Sequence, residues 1–258
     1  MNQTEDKGFC VPLFSIITVC FNPGLTLVPT IKSVDSQTCR LYEHLIVDGA
    51  STDGTAEVLK KYPNPSRRII SEPDNGIYDA MNKGLGLARG EYVIFLNAGD
   101  AFHSETTLQR IADIAMNCDF PGVIYGQTDL VNGLRQRIGE RHLRAPETLT
   151  YHSFAQGMLV CHQAFVALRR ITAPFDLRYR FSADYDWCIR CLQHSRRNEY
   201  IDAVLIDYLN EGVTTANHRK SLMERFRIMS HYYGFWPTLR RHFGFIPRYL
   251  KFKFNNVD

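Results

Sequence analysis

The stretch that decides the fold runs from Ser71 to Asp100, SEPDNGIYDAMNKGLGLARGEYVIFLNAGD. It opens with Pro73-Asp74-Asn75-Gly76, a turn whose residues tolerate tight or left-handed backbone. Ile77, Met81, Leu85 and Ala88 then recur at helical spacing, and Arg89-Gly90 supplies a stop signal. Tyr92 to Leu96 is a short, almost wholly apolar run, the pattern of a strand buried on both faces. It ends in Asn97-Ala98-Gly99-Asp100. A polar cluster with a carboxylate at the carboxyl end of a buried parallel strand is where open α/β sheets bind ligands. Turn, helix amino end and strand-end carboxylate together suit a diphosphate and a divalent cation.

Upstream, the same alternation repeats. Leu13 to Cys20 is an apolar, β-branched run that predicts a first central strand, followed by the turn Phe21-Asn22-Pro23-Gly24. No G-x-G-x-x-G follows it, which argues against a dinucleotide-binding oxidoreductase. Leu25 to Gln37 carries Leu27, Ile31 and Val34 at helical spacing. Leu45 to Val47 predicts a second strand, and Asp53 is placed to cap the helix that continues through Val58 and Leu59. Arg68 to Ser71 predicts a third strand. Such alternation reads as a mostly parallel sheet flanked by helices, with right-handed crossovers.

Downstream the rhythm changes. Thr106 to Met116 predicts a helix, Gly122 to Tyr125 a strand, and Leu130 to Ile138 a hairpin around Asn132-Gly133. His162 to Leu168 reads as a short helix, Asp184 to His194 as a longer one, and Ile201 to Ile206 as a strand. With 258 residues and 45% hydrophobic side chains, the chain can bury one sizeable core. No apolar run reaches eighteen residues, and MNQTEDKGFC is polar rather than basic then apolar, so neither a spanning helix nor a signal peptide is expected. The seven cysteines are scattered; Cys20 and Cys161 read as reduced core residues of a cytosolic protein. Cys188 and Cys191 fit adjacent turns of one helix, with no second pair at zinc-ribbon spacing.

Residues 216–258 form a tail with nine Lys or Arg against two acids, a charge of +7, which leaves −4 for the rest. At about 100° per residue, Trp236, Leu239, Phe243, Ile246, Leu250 and Phe254 share one side, and Arg240, Arg241, Arg248 and Lys251 another. Gly244 and Pro247 would kink or divide this helix. Two roles stay open: a helical hairpin packed on the core, or a membrane-surface helix drawn to anionic lipid.

Six segments in order resemble the family-2 inverting glycosyltransferases of the GT-A fold: SIITVCFN (15–22), VDGASTDGT (47–55), EPDNGIYDAMNKG (72–84), FLNAGD (95–100), SADYDWCIR (182–190) and EGVTT (211–215). The resemblance implies an α/β fold of GT-A type, a catalytic domain over 1–215, and a basic amphipathic helical tail over 216–258. It implies transfer of a sugar from a nucleotide-sugar to an acceptor hydroxyl with inversion, in bacterial surface polysaccharide assembly, on a saccharide or lipid-linked saccharide. The setting would be the cytoplasm, at the inner face of the membrane; no nucleic-acid partner is expected.

By the same resemblance Asp48 contacts the nucleotide base beside Phe21 and Asn22, and Asp74 and Asn75 line that pocket. Asn82 and Lys83 follow on the next helix, Lys83 near a leaving diphosphate or simply solvated. Family members often carry a second Asp where this chain has Gly49. The metal motif is thinned to Asn97-Ala98-Gly99-Asp100, leaving Asp100 as ligand for Mg2+ or Mn2+ and Asn97 as a structural or sugar contact. Asp184 matches the catalytic base, a role that needs one carboxylate to take the proton of the attacking hydroxyl. Asp186 is placed to orient Arg190, and His162 with Gln163 to sit over the donor sugar. Two other readings remain: a nucleotidyltransferase, although no early Gly-rich, Lys/Arg-bearing loop is present, and a catalytically inactive sugar- or lipid-binding relative.

Overall fold

Every residue of strand β1 (Phe14–Cys20) is buried, and three further strands build on it in parallel. These are β2 (Tyr42–Asp48), β3 (Arg67–Ser71) and β4 (Tyr92–Phe95), with helices α1 (Leu27–Asp35), α2 (Thr55–Lys61) and α3 (Ile77–Leu87) between them. The computed structural model describes residues 11–210 and 218–243. The EGVTT motif at 211–215, Cys10 and the tail residues Gly244, Ile246, Pro247, Arg248, Leu250, Lys251 and Phe254 lie outside them.

The parallel register sets Cys20, Asp48 and Ser71 side by side at the carboxyl ends of β1, β2 and β3. It also brings Asn97 and Asp100, just past β4, to the same edge. The predicted Asp53 cap does not form: Gly54, at φ 89°, occupies the cap position of α2, and Asp53 Oδ1 accepts from Thr55 N at 3.2 Å within the turn just ahead of it. Helix α3 lies close on β1 because position 84 is Gly; a Cβ there would collide with Ile17. The site is therefore an edge built by register, not by any single loop.

The second half joins the same sheet in mixed directions. Strand β5 (Ala101–Phe102) and helix α4 (Thr107–Asn117) precede β6 (Val123–Val131), which forms the predicted hairpin with β7 (Arg137–Glu140). Next come β8 (Phe165–Leu168), helix α5 (Ala183–His194), β9 (Asn198–Leu209) and helix α6 (His218–Tyr233). Among the described residues the sheet has nine strands in the order β3-β2-β1-β4-β8-β6-β9-β5, with β7 beside β6.

One local expectation fails. His162 to Leu168 is not a helix: His162–Ala164 makes a single 3₁₀ turn, and β8 runs antiparallel between β4 and β6. The run FVAL has no polar face, and all four residues are buried. Filling the gap between two strands satisfies its backbone on both sides, which a short helix could not do.

The core beneath the edge is aromatic. Trp187 of α5 is fully buried, stacked on Phe175 at 5.2 Å and edge-on to Phe95 and Phe165 at 5.4 and 5.9 Å. Such pairs contribute about 0.5–1.5 kcal/mol each beyond area burial, so α5 is firmly fixed to β4 and β8.

Helix α6, at the start of the basic tail, also packs on this body. Ile228 and Met229 are buried, Glu224 accepts from the backbone N–H groups of Arg180 and Phe181, and Tyr233 donates to the Tyr151 carbonyl at 2.6 Å. Gly234, at φ 85°, ends it, and residues 235–243 form a second helical segment on which Phe235, Trp236 and Phe243 are exposed.

Candidate active site

The carboxyl edge has two ends, and its predicted residues divide between them. At the β1–β3 end, Asp48 is 5% exposed and its carboxylate is held by neighbours: it accepts from Ser51 N at 3.1 Å, from Ser71 Oγ at 2.6 Å and from the Ser51 hydroxyl. Asn22, at φ 49°, takes its left-handed turn with Oδ1 accepting from Thr52 N at 2.8 Å. Phe21 is 67% exposed beside it. The missing second Asp has a steric counterpart. A Cβ on Gly49 would lie 2.5 Å from Asp74 Oδ2 and 3.2 Å from the Phe21 ring. Asp74 thus fills the space a side chain at 49 would need, and Phe21, Asp48, Gly49 and Asp74 close around one spot.

Asn75, Asn82 and Lys83 have structural partners. Asp79 accepts from Asn75 N at 2.9 Å, and Asp74 accepts from Gly76 N at 2.8 Å, which locks the turn ahead of α3. Asn82 uses both ends of its amide on the backbone of Phe175, at 3.0 and 2.7 Å. Lys83 donates to the Pro73 carbonyl at 2.7 Å and pairs with Glu72 at 2.9 Å. Asn82 and Lys83 therefore brace the 72–83 segment from behind.

At the other end, Asp184 in the first turn of α5 faces a cleft of about 380 Å³. Its Oδ1 accepts from Tyr78 Oη at 2.9 Å, and its Oδ2 lies 3.2 Å from His162 Nδ1. With Nδ1–H donating to Asp184, His162 Nε2 is left to accept from the Asn97 amide at 3.3 Å. Burial would raise the Asp184 pKa, but the hydrogen bond from His162, the charge of Arg225 and the Tyr78 hydroxyl outweigh it and hold the pKa at about 2. Asp184 is thus a carboxylate throughout the neutral range. Conversely, burial first and the Asp184 charge second push the Tyr78 hydroxyl up, so Tyr78 stays a donor.

Asp186 points into the body of the fold, as predicted. It is 4% exposed, pairs with Arg190 Nε at 2.8 Å and accepts from Tyr232 of α6 at 2.8 Å.

Asp100 does not present itself as a cation ligand. It is 4% exposed and does not line the cleft. Its Oδ1 accepts from Leu209 N at 3.0 Å and its Oδ2 from Gln163 Nε2 at 2.7 Å. Burial raises its pKa to about 6, against the opposing pull of these two hydrogen bonds. With both oxygens committed, it ties the end of β9 and the 162–164 turn to the end of β4. No group of three His, Cys, Asp or Glu side chains gathers at metal distance among the described residues. As arranged, these residues do not fit Mg2+ or Mn2+.

The cleft also holds residues that sequence reasoning passed over: Tyr78, Tyr208, Arg141, Arg180 and Arg225. Tyr78 stands inside a quoted motif, but its partner is 106 residues away. No local signal marks the others. A larger hollow of about 520 Å³ between 147–152 and 192–198 contains none of the predicted site residues.

Residues 15–172 match the model of the family described as "Glycosyl transferase family 2". The chain is 33% identical over 208 residues to a PGL/p-HBAD biosynthesis glycosyltransferase of Mycobacterium tuberculosis, covering 78% of each. It is 31% identical over 157 residues to the putative teichuronic acid biosynthesis glycosyltransferase TuaG of Bacillus subtilis, covering 58% of this chain and 59% of that one. Among solved structures, its fold is similar to that of mannosyltransferase PcManGT from Pyrobaculum calidifontis, bound to GDP-Man and Mn2+. That likeness has a TM-score of 0.66 at 16% identity and covers 91% of this chain and 70% of the other.

Proposed function

The chain belongs to glycosyl transferase family 2, and from that premise we propose how its two-ended edge divides the work. It is a glycosyltransferase that moves a sugar from a nucleotide-sugar to an acceptor hydroxyl with inversion at the anomeric carbon. In our reading Phe21, Asn22, Asp48, Asp74 and Asn75 receive the nucleotide, Asn97 and His162 face the donor sugar, and Asp184 is the base. The observation that carries this is Asp184 itself: an ionised carboxylate at the mouth of a cleft, aimed by Tyr78 and His162.

An inverting displacement needs a base on the acceptor side, opposite the leaving nucleotide. Asp184 lines a cleft whose wall does not include Asp48, which suits that requirement. Tyr78 and His162 fix the carboxylate's orientation in advance, so little reorganisation accompanies proton transfer. PcManGT is bound to Mn2+; in this chain Asp100, the residue predicted to hold such an ion, is committed to Leu209 and Gln163 instead.

Relatives are named for PGL/p-HBAD and teichuronic acid biosynthesis, and in our reading this chain acts in bacterial surface polysaccharide assembly with a saccharide or lipid-linked saccharide as acceptor. The described residues contain no helix long and apolar enough to cross a membrane. We place the enzyme at the inner face of the cytoplasmic membrane, held by the segment after Gly234. There Phe235, Trp236 and Phe243 are exposed beside Arg240 and Arg241.

The test is a panel of nucleotide-sugars, scored first by thermal shift. A ligand at a hundred times its Kd adds about 2.7 kcal/mol of stability. Donors that bind are then assayed for nucleoside diphosphate release with candidate acceptors. Acceptor-dependent release supports transfer; binding without release under every acceptor supports an inactive relative.

A further inference from the structure

The cleft at Asp184 is strongly cationic. Arg141, Arg180 and Arg225 line it, against Asp184 as the one carboxylate in its wall. None of the three guanidinium groups forms an ion pair among the described residues. Arg141 Nη2 donates to the Met158 carbonyl at 3.0 Å, and Arg225 Nε is buried with no hydrogen-bond partner among the described residues. Asp184 interacts with the Arg225 charge, but one carboxylate against three guanidinium groups leaves the cleft with excess positive charge. Desolvated donors without partners are costly unless a ligand supplies the acceptor. Planar guanidinium groups match phosphate oxygens two at a time.

Part of the cleft wall is apolar: Ile77, at 46% exposure, Met81, Leu130, Met158 and Phe181 line it. The nucleotide end, around Phe21, Asp48 and Asp74, contributes nothing to the cleft wall.

We propose that Arg141, Arg180 and Arg225 form a second phosphate site, separate from the donor's diphosphate site, and that it receives a phosphate or diphosphate carried by the acceptor. The inference rests on the reading of Asp184 as base. In an in-line displacement the leaving diphosphate departs on the side opposite the base, so cations sharing the base's cleft serve the acceptor. Arg225 then has two effects: it holds the incoming anion, and it keeps Asp184 ionised beside it. The apolar part of the wall, with exposed Ile77, offers a path for a hydrocarbon chain attached to that phosphate.

Calorimetry on the full chain separates this from the alternatives. Inorganic pyrophosphate is titrated alone and after saturation with the nucleoside diphosphate chosen by the screen above. The proposal expects pyrophosphate still to bind the saturated protein. Arg180→Gln and Arg225→Gln should each weaken it about tenfold or more, with nucleoside diphosphate affinity unchanged. Arg180 is exposed, so its variant keeps the test valid if Arg225→Gln folds poorly; Arg225→Lys is the second safeguard. Geranyl diphosphate binding more tightly than pyrophosphate would assign the phosphate to a lipid carrier; equal binding would assign it to the saccharide. One-for-one competition between pyrophosphate and nucleoside diphosphate would overturn the proposal by giving the arginines to the donor. So would wild-type pyrophosphate binding in the arginine variants. Failure of every nucleoside diphosphate to bind would instead sink the functional reading, and pyrophosphate titration of the variants would still decide this one.

Discussion

The nucleotide end and the base end of the edge are built by opposite means. At the nucleotide end, the Asp48 carboxylate is held by Ser51, three residues on, and by Ser71 on the adjoining strand. At the base end, the partners come from afar: Tyr78 to Asp184 spans 106 residues, Asp100 to Leu209 spans 109, and Asn97 to His162 spans 65. The charges differ as well, with Asp48, Asp53 and Asp74 together at one end and Arg141, Arg180 and Arg225 at the other. A carboxylate-rich end suits base and ribose N–H and O–H groups, and a guanidinium-rich end suits phosphate.

The comparison can be broken at several points. The largest expected effect is on the base end's scaffold. Asp186→Ala leaves Arg190 and Tyr232 without their shared partner, and breaking a buried pair costs about 3–5 kcal/mol. Urea unfolding should show that loss, and an unchanged midpoint would detach α6 from α5 in this account. Next comes Gly49→Ala at the nucleotide end. The new Cβ would displace the Asp74 carboxylate, so nucleoside diphosphate affinity should fall about tenfold, the value of one charged hydrogen bond. Stability should change by less than about 1 kcal/mol, because a flexible side-chain end can move aside. Unaltered affinity would remove Asp74 from the pocket.

Tyr78→Phe is subtler. The Asp184 pKa is depressed to about 2, so its stabilising contribution is present above the ordinary carboxylate pKa and lost as pH falls through about 2. Losing the Tyr78 hydroxyl removes one of the groups that depress it. Acid unfolding followed by circular dichroism should therefore begin at higher pH in the variant; an identical acid limb would show that Tyr78 does not stabilise the charge. Smallest of all is the effect on nucleotide binding of ending the chain at Gly234. That affinity should stay unchanged, while co-sedimentation with anionic vesicles at low salt falls. Loss of folding instead would give the segment a packing role.

The same contrast explains what was legible in the sequence. Strands β1, β2 and β4 announce themselves as apolar runs between turn residues, because every residue of each is buried, whereas β3 lies at the sheet edge and is largely exposed. Strand β8 did not announce itself: FVAL is too short for periodicity to separate helix from strand, and only the gap between β4 and β6 decides it. Asp48 and Asp184 were visible as motif residues, and Asp186 with Arg190 as an i, i+4 pair. Asp100 was visible too, but not that Leu209 and Gln163 would occupy its oxygens. Tyr78, Arg141, Arg180 and Arg225 acquire their roles only from long-range packing, and no spacing rule reaches that far.

The account stands most directly on Asp184→Asn, assayed for both sugar transfer and nucleoside diphosphate affinity. The substitution keeps the side chain's shape but cannot accept a proton, and general-base assistance contributes about 10²–10⁴-fold. Turnover should fall by roughly that factor while nucleoside diphosphate binds as in the wild type. Normal turnover would contradict the assignment of the base, and lost nucleotide binding with a folded protein would put Asp184 at the wrong end of the edge.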